Sequence, residues 1–144
     1  MSNIFYRKGF KYQLMETVAA QTEVRPAEDI ITSFYEIHST GLVVGKAGYA
    51  WDGPSGPTFD TKTFMRGSLI HDIVYQAMRE GLLPWGDGNK DAADLELYRI
   101  CREDGMHRFR AHYVLKAVQK CGGKEGVNPY RIYSAPDKKA LPPC

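Results

Sequence analysis

His71, Asp72 and Tyr75 fall within five residues of one another, and Asp94 follows as a carboxylate on an apolar helical stripe. An imidazole can take a proton from water when a carboxylate holds its other ring nitrogen. A second carboxylate beside it could bind a hard cation such as Ca²⁺, which takes oxygen ligands and often mixes carboxylates with main-chain carbonyls. On a helix, His71 and Tyr75 lie one turn apart on one face, while Asp72 points about 100° away. One helix could thus present an imidazole to one site and a carboxylate to its neighbour. The helical neighbours of Asp94 at i+3, i+4 and i+7 are Leu97, Tyr98 and Cys101, so its side chain is expected to face inward. A buried carboxylate costs several kcal/mol unless paired or hydrogen-bonded, and His71 with Tyr75 would satisfy it. The opposing expectation is a polar pair of His71 and Asp72, with Asp94 satisfied by Arg66 or Arg79 and no chemistry attached.

Ahead of this cluster runs Trp51-Asp52-Gly53-Pro54-Ser55-Gly56-Pro57. Glycine tolerates the backbone angles that turn several carbonyls toward one point. The segment 49–56 precedes Asp72 by sixteen to twenty-three residues, close enough to fold back over a helix start. Pro54 and Pro57 read as turn stiffeners. Tyr49 and Trp51 read as packing residues, His38 and His107 as surface or strand-end residues. Cys101 reads as a small core residue and Cys144 as a free thiol.

The elements that must position these groups are legible in outline. Residues 10–18, 29–37 and 42–44 have strand character, and the turn signal Ser39-Thr40-Gly41 makes 29–48 a hairpin. From Thr61 the period changes: Phe64, Gly67, Ile70, Val74 and Met78 predict a helix of about five turns that stops at Gly81. Asn89 is the expected N-cap of a second helix, with Asp91 in its first turn and an inner stripe of Ala93, Asp94, Leu97, Tyr98 and Cys101. A third helix is expected from Met106 through Phe109, Tyr113, Val114, Ala117 and Val118 to Cys121, ending at Gly122-Gly123. Pro129, Pro136, Pro142 and Pro143 mark a closing strap or partner-binding tail. The expectation is one α+β domain over residues 1–144. It has a small N-terminal antiparallel sheet (1–48), a Gly/Pro loop (49–60), a three-helix core (61–123) and a Pro-containing tail (124–144).

The 144 residues are 43% hydrophobic and 25% charged, ordinary values for a globular chain with its own core. A net charge of +2 gives no reason to expect nucleic-acid binding. Arg108, Arg110, Lys116, Lys120 and Lys124 form a basic helical surface, most simply a solvated face, though one that could meet anionic lipid or nucleic acid. No apolar run approaches twenty residues, residues 1–9 lack the core of a signal peptide, and Cys101, Cys121 and Cys144 form no CxxC pair. A soluble protein of a reducing compartment is expected, in the cytoplasm of the cell that makes it.

His71-Asp72-x-x-Tyr75, the glycine-containing loop before it and Ala93-Asp94 on a second helix together resemble the active site of phospholipase A2. The compact parvovirus capsid type, which lacks the secreted enzymes' disulfides, is most similar. Residues 45–123 separately resemble a family of uncharacterised domains of tailed-phage genomes. The matching elements are Gly48 to Thr58, Arg66 to Tyr75, Ala93-Asp94 and Gly122-Gly123. That second resemblance implies a phage or prophage origin. The phospholipase resemblance implies a phospholipase A2-like helical core with His71 as base, Asp94 as its orienting partner and Tyr75 bracing Asp94. It further implies Ca²⁺ held by Asp72 and by carbonyls near Trp51, Gly53 and Ser55, with a lipid ester met at a phospholipid or membrane surface. The loop departs from the enzymes' YxGxG-like pattern. Two other function classes compete. One is a non-catalytic tail or head accessory protein that contacts other phage virion proteins and sits in the virion. The other is an HD-type metal-dependent phosphohydrolase using His38, His71, Asp72 and Asp94, which requires His38 to approach the other three.

Overall fold

Short runs of β-branched and aromatic residues alternate buried and open side chains before residue 51, and they fold as strands. The computed structural model describes residues 12–51 and 62–121, so Gly53, Ser55, most of the Gly/Pro loop and the Pro-containing tail lie outside the described residues. The strands are β1 (Tyr12–Gln13), β2 (Val18–Gln21), β3 (Ile30–Ile31), β4 (Tyr35–Ile37), β5 (Leu42–Gly45) and β6 (Ala50–Trp51). Helices α1 (Lys62–Arg79), α2 (Asn89–Glu103) and α3 (Arg108–Cys121) follow. The order β2-β5-β4-β3 makes a four-stranded antiparallel sheet, and β1 pairs with β6. The expected α+β mix, with a small antiparallel sheet preceding three helices, is therefore what the chain adopts.

Three local expectations are corrected. The run 29–37 is two strands, because the Thr32 hydroxyl accepts the Tyr35 N–H at 2.9 Å and donates to the Tyr35 carbonyl at 2.8 Å. That local bonding replaces ladder bonds with a turn. The run 10–18 also divides: β1 goes to β6 and β2 to β5. Asn89 is not the N-cap of α2. Gly88, with φ of 78°, holds that position without a side-chain bond, and Asn89 turns inward to donate to the Pro84 carbonyl at 3.1 Å.

The sheet packs on α1 through Tyr35, Ile37 and Val43, all essentially without exposure. Gly45 permits the close approach, since a β-carbon there would stand 3.1 Å from Ile73 Cδ1. Hydrogen bonds fix the rotation of α1 on the sheet: Tyr35 donates to Glu80 at 2.5 Å, and Tyr49 donates to Gln76 at 2.8 Å. A second cluster of Phe64, Leu97, Cys101, Met106, Ala111 and Val114 joins the three helices. The segment after β2 is tied to α2 by Glu96, whose carboxylate accepts the Glu23 N–H at 2.6 Å and pairs with Arg99.

The third helix starts two residues later than expected, and its stripe is shifted: Met106, Val114 and Val118 pack inward as expected, but Phe109 and Tyr113 do not. Ala111, Val114 and Leu115 face the core, while Phe109 and Tyr113 stand 70% and 57% exposed. Two i, i+4 patterns run along this sequence, and the one with smaller side chains and Leu115 makes the contact. No helix among the described residues is long and apolar enough to cross a membrane.

The α1–α2 contact hinges on Gly67, where an added β-carbon would lie 2.8 Å from Cys101 Sγ and 3.0 Å from Leu97 Cδ1. Alanine gains about 1 kcal/mol of helix propensity over glycine, yet overpacking costs about 1–3 kcal/mol. We expect Gly67→Ala to lower stability in denaturant melts by about 1 kcal/mol, and Cys101→Ala to restore part of that loss in the double variant. A Gly67→Ala protein more stable than wild type would contradict this packing.

Candidate functional site

Helix α1 carries His71 and Tyr75 on the face turned to α2, where Asp94 projects from the opposite side. The Asp94 carboxylate has no exposure, and the His71 ring is nearly buried. His71 Nε2 stands 2.8 Å from Asp94 Oδ1, and the Tyr75 hydroxyl donates to the same oxygen at 2.7 Å. An ionised carboxylate only accepts, so Nε2 carries the hydrogen. The other oxygen, Oδ2, accepts from Lys90 Nζ at 2.7 Å. The His71 and Tyr75 rings lie 4.2 Å apart at an interplanar angle of 31°. Tyr75 is backed by Trp85 edge-on at 5.6 Å and by the Arg79 guanidinium at 5.9 Å.

Asp72 sits on the open side of the imidazole, its Oδ1 3.9 Å from His71 Nδ1, which is beyond hydrogen-bond range. Nδ1 thus has no hydrogen bond among the described residues and faces a half-exposed carboxylate.

The charges in this cluster depend on one another. Burial opposes the imidazolium, but Asp72 and Asp94 together outweigh it and raise the His71 pKa above its ordinary value. Burial also opposes the Asp94 carboxylate. His71 first, then Lys90 and Tyr75, hold its pKa below the ordinary 3.8. Burial and the neighbouring Asp94 charge push the Tyr75 hydroxyl well up, so it remains a donor.

Three of the expected site residues, His71, Tyr75 and Asp94, therefore meet, and Asp72 adjoins them. Neither arginine proposed as the alternative partner of Asp94 fills that role. Arg66 binds Glu103 and Asp104 at 2.7 and 2.9 Å, and Arg79 stacks on Tyr75. Trp51 is buried against Tyr12 with its indole N–H 3.3 Å from Ser68 Oγ, so its side chain packs as expected. Gly53 and Ser55 lie outside the described residues. His38 pairs with Glu36 at 2.8 Å and with Asp29 at 3.5 Å, sharing no partner with His71 or Asp94. No group of three or more His, Cys, Asp or Glu side chains among the described residues is arranged to hold a metal. A Ca²⁺ site at Asp72 would therefore draw on main-chain oxygens, as this ion commonly does.

Lys90 is the site residue that sequence reasoning missed. Its signal was present, since Lys90 and Asp94 have the i, i+4 spacing of a helical ion pair. Trp85 was missed because it lies in the loop between α1 and α2, where no periodicity announces it.

Lys90→Met leaves Asp94 Oδ2 without its cation, and we expect a loss of about 1–3 kcal/mol in thermal or denaturant melts. A change near zero would mean the ammonium does not reach the carboxylate in solution. Because the Asp94 pKa is depressed, its charge contributes stability that is present above 3.8 and lost as pH falls through the lower folded value. The stability advantage of wild type over Asp94→Asn should accordingly shrink on acidification below 3.8; an advantage that grows there would refute the assignment.

No family model matches this chain, and no curated protein or solved structure matches it.

Proposed function

We propose that this chain is a phage protein with a phospholipase A2-like site that hydrolyses a lipid ester with Ca²⁺. The observation that carries the reading is the buried Asp94 carboxylate gripping Nε2–H of His71, with Nδ1 beside Asp72 and without a hydrogen bond among the described residues. Neutral His71 in this tautomer presents its lone pair at Nδ1 to a water molecule. It takes the water's proton as the oxygen attacks the ester carbonyl carbon, and Asp94 stabilises the imidazolium that forms. His71 then returns the proton to the departing alkoxide, and fatty acid and lysolipid separate. Tyr75 and Lys90 keep Asp94 oriented and ionised throughout. Asp72, with carbonyls at Trp51, Gly53 and Ser55, would hold Ca²⁺, which polarises an ester carbonyl and stabilises its developing negative charge. The donor chemistry suits that ion: Asp72 is a half-exposed carboxylate, and a glycine-containing segment precedes it in the sequence.

The full chain should release fatty acid from mixed phospholipid vesicles in millimolar Ca²⁺. His71→Ala and Asp94→Asn should each reduce the rate by about 10²- to 10⁴-fold. Calorimetry should find Ca²⁺ binding in wild type and its loss in Asp72→Asn. Folded wild type that releases no fatty acid under these conditions overturns the reading, and release that survives His71→Ala moves the chemistry elsewhere.

A further inference from the structure

Helix α3 contains Arg108, Arg110, Lys116 and Lys120 and no aspartate or glutamate. Its outward stripe is Phe109, Tyr113, Lys116 and Lys120, at i, i+4, i+7 and i+11, directly opposite the buried Ala111, Val114 and Leu115. This stripe is about 16 Å long. Phe109 is 70% and Tyr113 57% exposed, large apolar surfaces left in water. Arg108 lies over the Phe109 ring at 5.2 Å, keeping its charge beside the exposed ring. The other end of the helix adjoins the site, since Lys90 Nζ, which holds Asp94, is also 3.5 Å from the Gln119 carbonyl.

We infer that the outward face of α3 is a docking surface for an anionic phospholipid bilayer, with Phe109 and Tyr113 entering the headgroup region and Lys116 and Lys120 meeting lipid phosphates. Helices that lie on membranes combine basic residues with exposed aromatic side chains. Charge decides against the chain's own ends as the occupant. Residues 1–11 contribute Arg7, Lys8 and Lys11 with no acid, and residues 122–144 contribute Lys124, Arg131, Lys138 and Lys139 against Glu125 and Asp137. Asp52 and Asp60 of the intervening loop are too few to neutralise Arg108, Lys116 and Lys120. Duplex nucleic acid is disfavoured because backbone and groove contacts would leave the exposed Phe109 and Tyr113 rings in water. The inference rests on the lipid-ester reading for its purpose, because one end of α3 adjoins Lys90, the cation that holds Asp94.

The test separates binding from hydrolysis by using ether-linked lipids, which contain no ester to cleave. The full chain, without Ca²⁺, should sediment with phosphatidylglycerol vesicles and not with phosphatidylcholine vesicles, and added salt should release it. Each lysine near an anionic bilayer strengthens binding about fivefold, so the double variant Lys116→Glu/Lys120→Glu should lose about 20-fold or more. Phe109→Ala/Tyr113→Ala should lose several-fold while melting as wild type, since both rings are exposed. A Tyr113→Trp reporter should shift its emission to the blue on the anionic vesicles. Equal binding to both lipids, unchanged binding by either double variant, or binding to duplex DNA but not to vesicles would overturn the surface. Binding to the ether-linked vesicles together with no fatty-acid release from ester-linked phospholipid vesicles in millimolar Ca²⁺ leaves this surface standing and removes the enzyme reading. Release that does not depend on α3 does the reverse.

Discussion

A carboxylate fully removed from water must find donors, and Asp94 finds three: an imidazole, a phenol and an ammonium. Without them its burial would cost several kcal/mol. That requirement sets the local sequence. The donors on α1 must be one turn apart to reach a single oxygen, hence His71 and Tyr75. The cation must come from the turn of α2 preceding Asp94, hence Lys90. The tyrosine is then fixed by ring contacts with Trp85 and Arg79, so one buried charge organises parts of both helices and the loop between them. A network satisfied this fully is rigid, and rigidity is what a general base requires of its support.

The rest of the fold keeps α1 from rolling. Gly67 lets α2 approach one side of the helix, and Gly45 lets β5 approach another. The hydroxyls of Tyr35 and Tyr49 hold the C-terminal end of α1, at Glu80 just beyond it and at Gln76 within it. Because successive residues of a helix differ by about 100°, a modest roll would carry His71 away from Asp94 and bring Asp72 toward it. The sheet thus contributes to the site without touching it.

Much of this was legible in the sequence. The α+β order, the extent of α1, its stop at Gly81 and the inward direction of Asp94 follow from periodicity, which is strong in long amphipathic helices. The His71–Tyr75–Asp94 meeting follows from the need to satisfy a buried charge. What failed had other causes. Thr32 broke a strand through side-chain bonding to its own backbone, and Asn89 gave up a cap to serve the loop before it. The direction of α3 was decided by which of two competing stripes α2 could accept. The first two are local side-chain-to-backbone bonds that hydrophobic periodicity does not announce, and the third depends on a partner whose position the local sequence does not encode. Nothing local marked Trp85 either, because its role exists only once α1 and α2 are antiparallel neighbours.

Two hydrogen bonds near the middle of α2, at Asp94 and Glu96, differ in the length of chain they close. His71 and Asp94 are 23 residues apart, whereas Glu23 reaches Glu96 across 73. Loop-closure entropy grows with the logarithm of that length, so the second contact costs about 1 kcal/mol more in chain freedom than the first. The helical pair bearing the imidazole and the carboxylate can therefore come together as a local unit of low contact order. The strap from β2 onto Glu96 joins distant parts of the chain and locks a helix pair that shorter-range contacts already favour. The groups proposed for chemistry thus belong to a local helix pair, and the sheet is fastened around them.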